Sequence, residues 1–393
     1  MSNLENGKFP PAIYSMMAAA GVSAASLHYA QPLLPSIASS LGVSQAAVGA
    51  IPALIQVGFA LSIFFVLPLS DLAERRRLVM ILQGILALAL LGVALAPNLP
   101  TLVFAAFVVG ISGVVAQMFA PFVSLLVPRE RAGAALGIVL SGVLGGVLLS
   151  KVVAGLASEV VGWRIVFGIA SFAMLILVFI SGRLLPRSKP DTAELNYGLL
   201  LSSVVRLVIG HRHLQRHMLS GALTFWCFMS LWTTYASYLF TRFGLGPGAA
   251  GLIALGGLVG AASAGFAGRA VDRGGYGRVM VLAGVLMAGG FIWLGISGGS
   301  LWLFLVGVLL VDAGAGLSHA ANQSSAFALD PQAGGRLNSA YMLAYFTGGA
   351  LGTVVSSVLL FQFGWWAVCL QGGLIALAVA LFELRRPLQM VRD

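Results

Sequence analysis

The feature that most constrains this chain is a series of twelve apolar runs, each long enough to cross a lipid bilayer as a helix. A bilayer core about 30 Å thick needs roughly 20 helical residues to span it. Lipid offers the backbone no hydrogen bonds, and the runs lack the alternation of barrel strands, so we predict an all-α membrane protein. Numbered as spans 1 to 12, the runs are 12–34, 46–68, 78–96, 101–125, 134–157, 165–182, 218–240, 249–268, 279–297, 301–327, 338–361 and 364–382.

The amino-acid composition agrees with a chain that faces lipid. Of 393 residues, 59% are hydrophobic and 9% are charged, whereas soluble domains carry about 25% charged residues. The sequence has no GxxxxGK[ST] or HExxH motif, and both cysteines lie inside apolar runs. We therefore predict that the protein is not an enzyme and that it holds no cofactor and no metal.

The basic residues predict the orientation in the membrane. Of the 22 lysine and arginine residues, all but Lys151, Arg164 and Arg242 lie at the termini or in the connections that share their side. The positive-inside rule puts this side, with both termini, in the cytoplasm. The net charge of +10 is then a topology signal, and nucleic acid is not expected as a partner.

The sequence repeats itself after about 202 residues. LGVSQAAVG (41–49) resembles FGLGPGAAG (243–251), and VGWRIVF (161–167) resembles FGWWAVC (363–369). Six spans per copy give both copies the same orientation, which predicts parallel repeats about an axis along the membrane normal. The predicted division is a six-helix half at 1–182, a cytoplasmic linker at 183–217 with an amphipathic helix at 194–217, and a second half at 218–393.

Charged motifs follow spans 2 and 8, namely PLSDLAERRR (68–77) and GRAVDRGGYGR (268–278). They resemble the G-x-x-x-D-R/K-x-G-R/K-R/K motif of the major facilitator superfamily. With YAQPLLPSIASSLGVS (29–44) and NQSSAFALDPQAGGRLNSAYM (322–342), they look like its bacterial branch of arabinose-efflux-like or drug/metabolite efflux permeases. The resemblance covers essentially the whole chain and implies the twelve-helix fold of that superfamily, with two parallel six-helix repeats.

The same resemblance implies a cytoplasmic gate, in which carboxylates pair with arginines while that side is closed. The gate residues that it implies are Asp71, Arg75, Arg76, Gly268, Asp272 and Arg273. The first copy departs from the motif with Leu67 and Glu74 at glycine positions. The span 4 R-x-x-x-G and span 5 G-P-x-x-G-G patterns of drug antiporters are also absent.

Asp312 and Lys151 are the only charged residues inside the twelve runs. A carboxylate in mid-membrane costs about 2.5–3.5 kcal/mol on insertion scales and is a functional-site hypothesis by default. We expect Asp312 to carry a proton, the alternative being a permanent contact that locks the packing. Lys151 is predicted either to attract an anionic substrate or pair with Asp312, or to extend to the outer headgroups without a role.

Other polar and aromatic residues of the spans complete the predicted site. His319 and His28 are candidates for proton coupling, because histidine titrates near physiological pH; a neutral hydrogen-bonding role is the alternative. Glycine pairs in spans 5 and 8, such as Gly142/Gly146, are candidate sliding surfaces or plain packing contacts. The predicted substrate cavity comprises Lys151, Tyr29, Gln31, Trp226, Trp232, Asn322, Gln323 and Tyr341.

These residues predict a monomeric, proton-coupled secondary transporter that works by alternating access. Its partners would be a small-molecule substrate, protons and membrane lipid. We expect efflux of a small organic compound, drug or sugar. The alternatives are a proton symporter that imports a metabolite, and a receptor or assembly protein of this fold that transports nothing.

Overall fold

The computed structural model describes residues 9–188, 196–273, 275–330 and 333–384, and the described residues form no β-strand. The first six spans are Pro11–Ser26 with Leu34–Leu41, Gln45–Val48 with Ala50–Phe65, Arg75–Leu95, Leu99–Gly113 with Ala120–Leu126, Arg129–Val161, and Trp163–Leu184. After a short helix, Tyr197–Gly210, the second six are Arg212–Phe243, Pro247–Ile253 with Gly257–Asp272, Tyr276–Ile296, Leu301–Ala328, Gly334–Phe363 and Trp365–Leu384.

In the described part of the chain, ten helices are long and apolar enough to cross a membrane. Spans 1 and 7 complete the twelve. Span 1 is interrupted, and span 7, though 32 residues long, is rich in serine, threonine and tryptophan, which lower its mean hydropathy. The prediction of an all-α protein with twelve membrane-spanning helices is confirmed.

The interruption of span 1 lies between Ser26 and the short 3-10 turn Gln31–Leu33. Pro32 and Pro35 explain it, because proline has no N–H and its ring clashes with the carbonyl four residues earlier. Those carbonyls belong to His28 and Gln31, two of the predicted site residues. The helix then resumes and runs to Leu41, well beyond the predicted end of the span.

The first six spans and the last six pack in the same pattern. Span 1 packs on span 5, span 2 on span 4 and span 3 on span 6, and the corresponding pairs 7 and 11, 8 and 10, and 9 and 12 repeat these contacts. Between the two sets, span 2 packs on span 11 and span 5 on span 8. When spans 1–6 are matched to spans 7–12, the contact of span 2 with span 11 corresponds to the contact of span 8 with span 5. Parallel repeats related by a two-fold axis require this symmetry.

The predicted amphipathic helix at 194–217 is shorter in the structure. It covers Tyr197–Gly210, and Arg212 already begins span 7. Oη of Tyr197 donates a hydrogen bond of 2.6 Å to the carbonyl of Phe65, so this helix is tied to the end of span 2. Residues 189–195 of the linker lie outside the described residues.

Candidate functional site

The two charged residues of the spans meet at one indole ring. Nε1 of Trp232 donates a hydrogen bond of 3.0 Å to Oδ1 of Asp312, and Nζ of Lys151 lies 3.4 Å from the centroid of the same ring. Lys151 comes from span 5, whereas Trp232 and Asp312 come from spans 7 and 10. These three residues, which we call the charge cluster, therefore join the two sets of six spans.

The charge cluster is buried. Asp312 and Trp232 are each 1% exposed and Lys151 is 5% exposed, so Lys151 does not extend to the membrane surface. Oδ2 of Asp312 has no hydrogen-bond partner in the part of the chain that the structure describes. An ammonium over an aromatic face gains electrostatic attraction, but the ring leaves its N–H donors without an acceptor.

Glycines of span 8 let that helix cover Asp312 closely. A Cβ on Gly256 would lie 3.7 Å from Oδ2 of Asp312, and a Cβ on Gly260 would lie 2.9 Å from its carbonyl oxygen. A side chain at Gly260 would displace span 8, because the backbone oxygen of Asp312 stands in its way. Span 8 therefore shields the carboxylate with backbone and supplies it with no side-chain partner.

Two glutamines of the first set approach span 7 one helical turn before Trp232. Nε2 of Gln56 lies 3.6 Å from Sδ of Met229, and Nε2 of Gln31 lies 4.0 Å from the same atom. Oε1 of Gln31 is buried without a partner in the described residues. Gln56 was missing from the predicted site, although an amide inside an apolar run was a signal that could have indicated it.

His28 stands at the interruption of span 1. Its Nδ1 lies 3.0 Å from the carbonyl oxygen of Ala24, one turn earlier in the same span. Tyr29 beside it packs edge-to-face on Phe167, with centroids 6.1 Å apart. His28 therefore bonds within span 1, whereas Tyr29 faces span 6.

His319 and Gln323 face span 11. Nδ1 of His319 lies 3.4 Å from Oη of Tyr341, and its ring lies 4.6 Å from that of Tyr345. Nε2 of Gln323 donates a hydrogen bond of 3.1 Å to Asn338. His319 follows Asp312 by seven residues, about 10 Å along the helix, so it lies on a different level from the charge cluster.

Asn322, which was predicted to line the substrate cavity, does not face the charge cluster. It is fully buried, and its Oδ1 accepts a hydrogen bond of 2.9 Å from Oη of Tyr276 and lies 3.2 Å from Nδ1 of His217. At 100° per residue, ten residues turn it about 80° away from Asp312. Asn322 therefore holds spans 7, 9 and 10 together.

Trp226, another predicted cavity residue, lies against span 11. A Cβ on Gly352 would lie 2.8 Å from its Cα. Its Nε1 is buried without a partner among the described residues. Trp226 precedes Trp232 by six residues on span 7, and it contacts span 11 rather than the charge cluster.

The segment after span 2 is held by Glu74, Arg75 and Arg76. Glu74 caps span 3 by accepting hydrogen bonds of 3.1 and 2.8 Å from the backbone N–H groups of Arg76 and Arg77. Nε of Arg75 donates to the carbonyl of Ser70 at 3.0 Å, and Arg76 donates to the carbonyl of Gly182. In the second copy Arg273 is exposed and Gly268 has open space where a Cβ would be. The side chains of Asp71 and Asp272 lie outside the described residues.

Spans 5 and 8 meet near the face opposite the predicted cytoplasmic one. Oε1 of Glu159 accepts a hydrogen bond of 2.9 Å from the N–H of Gly248, and a Cβ on Gly251 would lie 3.1 Å from Cα of Val152. The span 5 side of this seam is one helical stripe, Lys151, Gly155 and Glu159, at four-residue spacing. Gly142 and Gly146, candidates for such a surface, instead pack on Gly21 of span 1.

Toward the predicted cytoplasmic face, spans 5 and 8 diverge. A Cβ on Gly133, Gly137 or Gly265 would meet no heavy atom within 4 Å. Two cavities of about 320 and 390 Å³ open near the face opposite the predicted cytoplasmic one, and the first of them lies beside the start of span 8. The first is lined by Ser36, Gly246 and Pro247 among others, and the second by Gln45, Ser237 and Trp365 among others; the charge cluster lines neither.

Comparison with known sequences gives one consistent result. The family model described as Major Facilitator Superfamily matches residues 16–329 and 217–392. The chain is 35% identical over 380 residues to an uncharacterized transporter of Escherichia coli O157:H7, YgaY, covering 95% of each chain. It is 33% identical over 357 residues to a probable transporter of Streptomyces coelicolor, covering 90% of this chain and 82% of that one.

Solved structures share the fold at low sequence identity. A nucleoside transporter, NupG, superposes with a TM-score of 0.77 at 12% identity, covering 95% of this chain and 99% of that one. A bacterial homolog of the human lysosomal transporter Spinster, inward-facing and unoccupied, gives 0.71 at 15% identity, with 95% and 94% covered. A human organic anion transporter gives 0.70 at 17% identity, with 95% and 100% covered.

Proposed function

This chain belongs to the major facilitator superfamily of membrane transporters, and we propose that it is a proton-coupled secondary transporter of a small organic solute. One observation carries the coupling. A carboxyl group, Asp312, is buried in the membrane core with one oxygen bound to Trp232 and the other without a partner. An unpartnered buried oxygen is where a proton relieves the cost of the charge.

The position of Lys151 supports a link between that proton and movement. When Asp312 is ionised, it attracts the Lys151 ammonium, which belongs to the other set of spans. When Asp312 is protonated, this attraction across the boundary between the sets is lost. Because such attraction is strong at low dielectric, the proton on Asp312 changes how firmly the two sets hold together.

Alternating access follows from the packing. We propose that residues 1–182 and 218–393 rock against each other, joined by the linker 183–217. The seam between spans 5 and 8 would open at one face, and the gate residues Asp71, Arg75 and Arg76, with Gly268, Asp272 and Arg273, would close at the other. The proposed setting is a bacterial inner membrane, with both termini in the cytoplasm and the protein acting as a monomer.

The direction of transport has two candidates. Export by proton antiport is the direction that the resemblance to efflux permeases implies. Import by proton symport is the second candidate. The buried ammonium of Lys151 disfavours antiport of a cationic solute, because a positive charge beside Asp312 repels cations.

The experiment uses purified protein in liposomes that contain a pH-sensitive dye. A small-molecule extract of bacterial cells is added outside with and without an imposed pH gradient, and the internal solutes are identified by mass spectrometry. Protein-dependent accumulation that requires the gradient supports the proposal. Accumulation that is indifferent to the gradient, or no accumulation at all, refutes it.

A further inference from the structure

We infer that the transported solute is a small organic anion whose acidic group binds Lys151, while Asp312 carries one proton in the same direction. This inference rests on the proton coupling proposed above, and it adds the charge of the solute and the direction of the proton. Two groups of the charge cluster, the ammonium of Lys151 and Oδ2 of Asp312, lack a hydrogen-bond partner among the described residues.

Lys151 lacks a hydrogen-bond acceptor. Its ammonium lies over the Trp232 ring, and no acceptor contacts it among the described residues. An ammonium has three N–H donors, and leaving them unmatched in a buried site is costly. A carboxylate, phosphate or similar acidic group of a solute would satisfy these donors with charge-assisted hydrogen bonds, which are stronger than neutral ones.

The indole of Trp232 keeps Lys151 and Asp312 from satisfying each other. Its N–H donates a hydrogen bond to one oxygen of Asp312, and its face contacts the ammonium of Lys151. In a direct ion pair, the two charged groups would bind each other and contribute only to packing. Because the indole separates them, the ammonium has no acceptor and one carboxylate oxygen has no donor among the described residues.

The balance of charge then fixes the stoichiometry. The empty cluster carries one positive and one negative charge. An anion bound at Lys151 makes the total negative, and one proton on Oδ2 of Asp312 restores neutrality. Since a net charge in the membrane core is expensive, the loaded state that crosses most easily holds one anion and one proton. Both are taken up from one side and released together on the other.

The other groups around the cluster do not disturb this balance. Span 8 brings glycine backbone to Asp312. The titratable neighbours are Tyr235, whose ring stands 4.9 Å from that of Trp232, and His28, whose Nδ1 lies 3.0 Å from the carbonyl oxygen of Ala24. In the proposed balance both side chains are neutral and add no charge to the site. The unpartnered Oε1 of Gln31 is an acceptor for a hydroxyl of the solute.

The test separates the bacterial small-molecule extract on ion exchangers into anionic, neutral and cationic fractions. Each fraction is offered to proteoliposomes of the full chain, with internal pH and solute content measured together. We expect accumulation from the anionic fraction, with protons entering alongside the solute. Proton-coupled accumulation from the neutral or cationic fraction alone, or protons that move against the anion, overturns this inference and leaves proton coupling standing. Gradient-independent transport, or none, overturns the proposed function itself.

Lys151 variants give a second readout on the solutes that the anionic fraction identifies. Lys151→Met keeps the volume and removes the charge, and we expect kcat/KM to fall about 10- to 100-fold, the loss that one hydrogen bond to a charged group predicts. Lys151→Arg keeps the charge and the N–H donors, so its kcat/KM should fall less than that of Lys151→Met. Wild-type kcat/KM in Lys151→Met refutes anion binding at Lys151. Should the Met variant not fold, the fraction assay on wild type decides.

Discussion

The indole N–H of Trp232 in span 7 donates a hydrogen bond of 3.0 Å to Oδ1 of Asp312 in span 10. This contact fixes one carboxylate oxygen and turns the other toward span 8, where it has no partner in the described residues. Because the same ring carries Lys151 of span 5 on its face, a change at Trp232 or Asp312 acts on the contact between the two sets of spans.

Replacing Trp232 by phenylalanine should separate the two functions of the indole. Trp232→Phe keeps an aromatic face for Lys151 but removes the N–H donor, so Oδ1 of Asp312 loses its partner and neither carboxylate oxygen is hydrogen-bonded within the described residues. A hydrogen bond to a charged group contributes about 1.5–3 kcal/mol. We expect a lower free energy of unfolding by that amount, from thermal unfolding in detergent, and a loss of gradient-driven accumulation in liposomes.

Trp226→Phe is the matched control, because Nε1 of Trp226 has no partner among the described residues. It should change unfolding and accumulation far less than Trp232→Phe. Equal effects of the two substitutions would mean that the hydrogen bond to Asp312 has no special role.

Glu159 should act as a latch between the two sets. Its carboxylate accepts the N–H of Gly248 at the start of span 8, and because Glu159 is exposed, an acidic group there contributes about 0.3–1 kcal/mol. Glu159→Ala should therefore open this face more often, by up to about fivefold. A cysteine introduced as Ser36→Cys, in the cavity beside Gly246, should react faster with a membrane-impermeant maleimide.

The background of that labelling is low, because Cys227 and Cys369 are buried. Glu130→Ala is the control, since Glu130 is exposed at the other end of the same helix. An unchanged labelling rate in Glu159→Ala, or the same increase in Glu130→Ala, would show that Glu159 is no latch.

Gly251 should be required for closure of the same seam. Its missing side chain lets span 8 approach Val152, and a Cβ would lie only 3.1 Å from Cα of that residue. Overpacking of this kind costs about 1–3 kcal/mol. Gly251→Ala should raise maleimide labelling at Ser36→Cys and lower the maximal transport rate. Gly145→Ala on span 5 meets open space and should leave both unchanged, and equal behaviour of the two would argue against a seam.

The ion pair of Arg216 and Glu383 should be structural. It joins spans 7 and 12 within the second set, with both side chains buried. Removing one partner of a buried pair costs about 3–5 kcal/mol, whereas replacing both by apolar residues is often neutral. We expect Arg216→Met to lower the thermal unfolding temperature and the further change Glu383→Leu to restore it, with the KM of transport unchanged. If Arg216→Met changes KM and the double variant keeps that change, the pair has a role in transport.

The sequence could predict the spans and the two charges, because lipid makes both conspicuous. An apolar run of 20 residues has few alternatives, and Asp312 and Lys151 stand out inside such runs. Trp232, in contrast, was one of several aromatic candidates in spans 7 and 11. Its contact with both charges depends on which helices are neighbours, and periodicity within one helix does not contain that information.

The same limit explains what was misplaced or missed. Asn322 lies on the same helix as Asp312, but it is turned about 80° around the helix axis from Asp312. Spans 7 and 9 pack against that side of the helix. Glu159 lies just beyond an apolar run, where an acidic residue is ordinary. Glu159 has a partner, the N–H of Gly248, only because span 8 packs against the side of span 5 that carries Lys151 and Gly155.

The proton-carrying role of Asp312 is tested most directly by Asp312→Asn. Asparagine keeps the shape and can still accept the Trp232 N–H, but it cannot take up a proton. The measurement is gradient-driven accumulation in proteoliposomes of the solutes that wild type takes from the extract, together with solute exchange at equal pH. We predict that accumulation is lost while exchange and thermal unfolding stay near wild type. Full dependence on the proton gradient in Asp312→Asn would contradict the account.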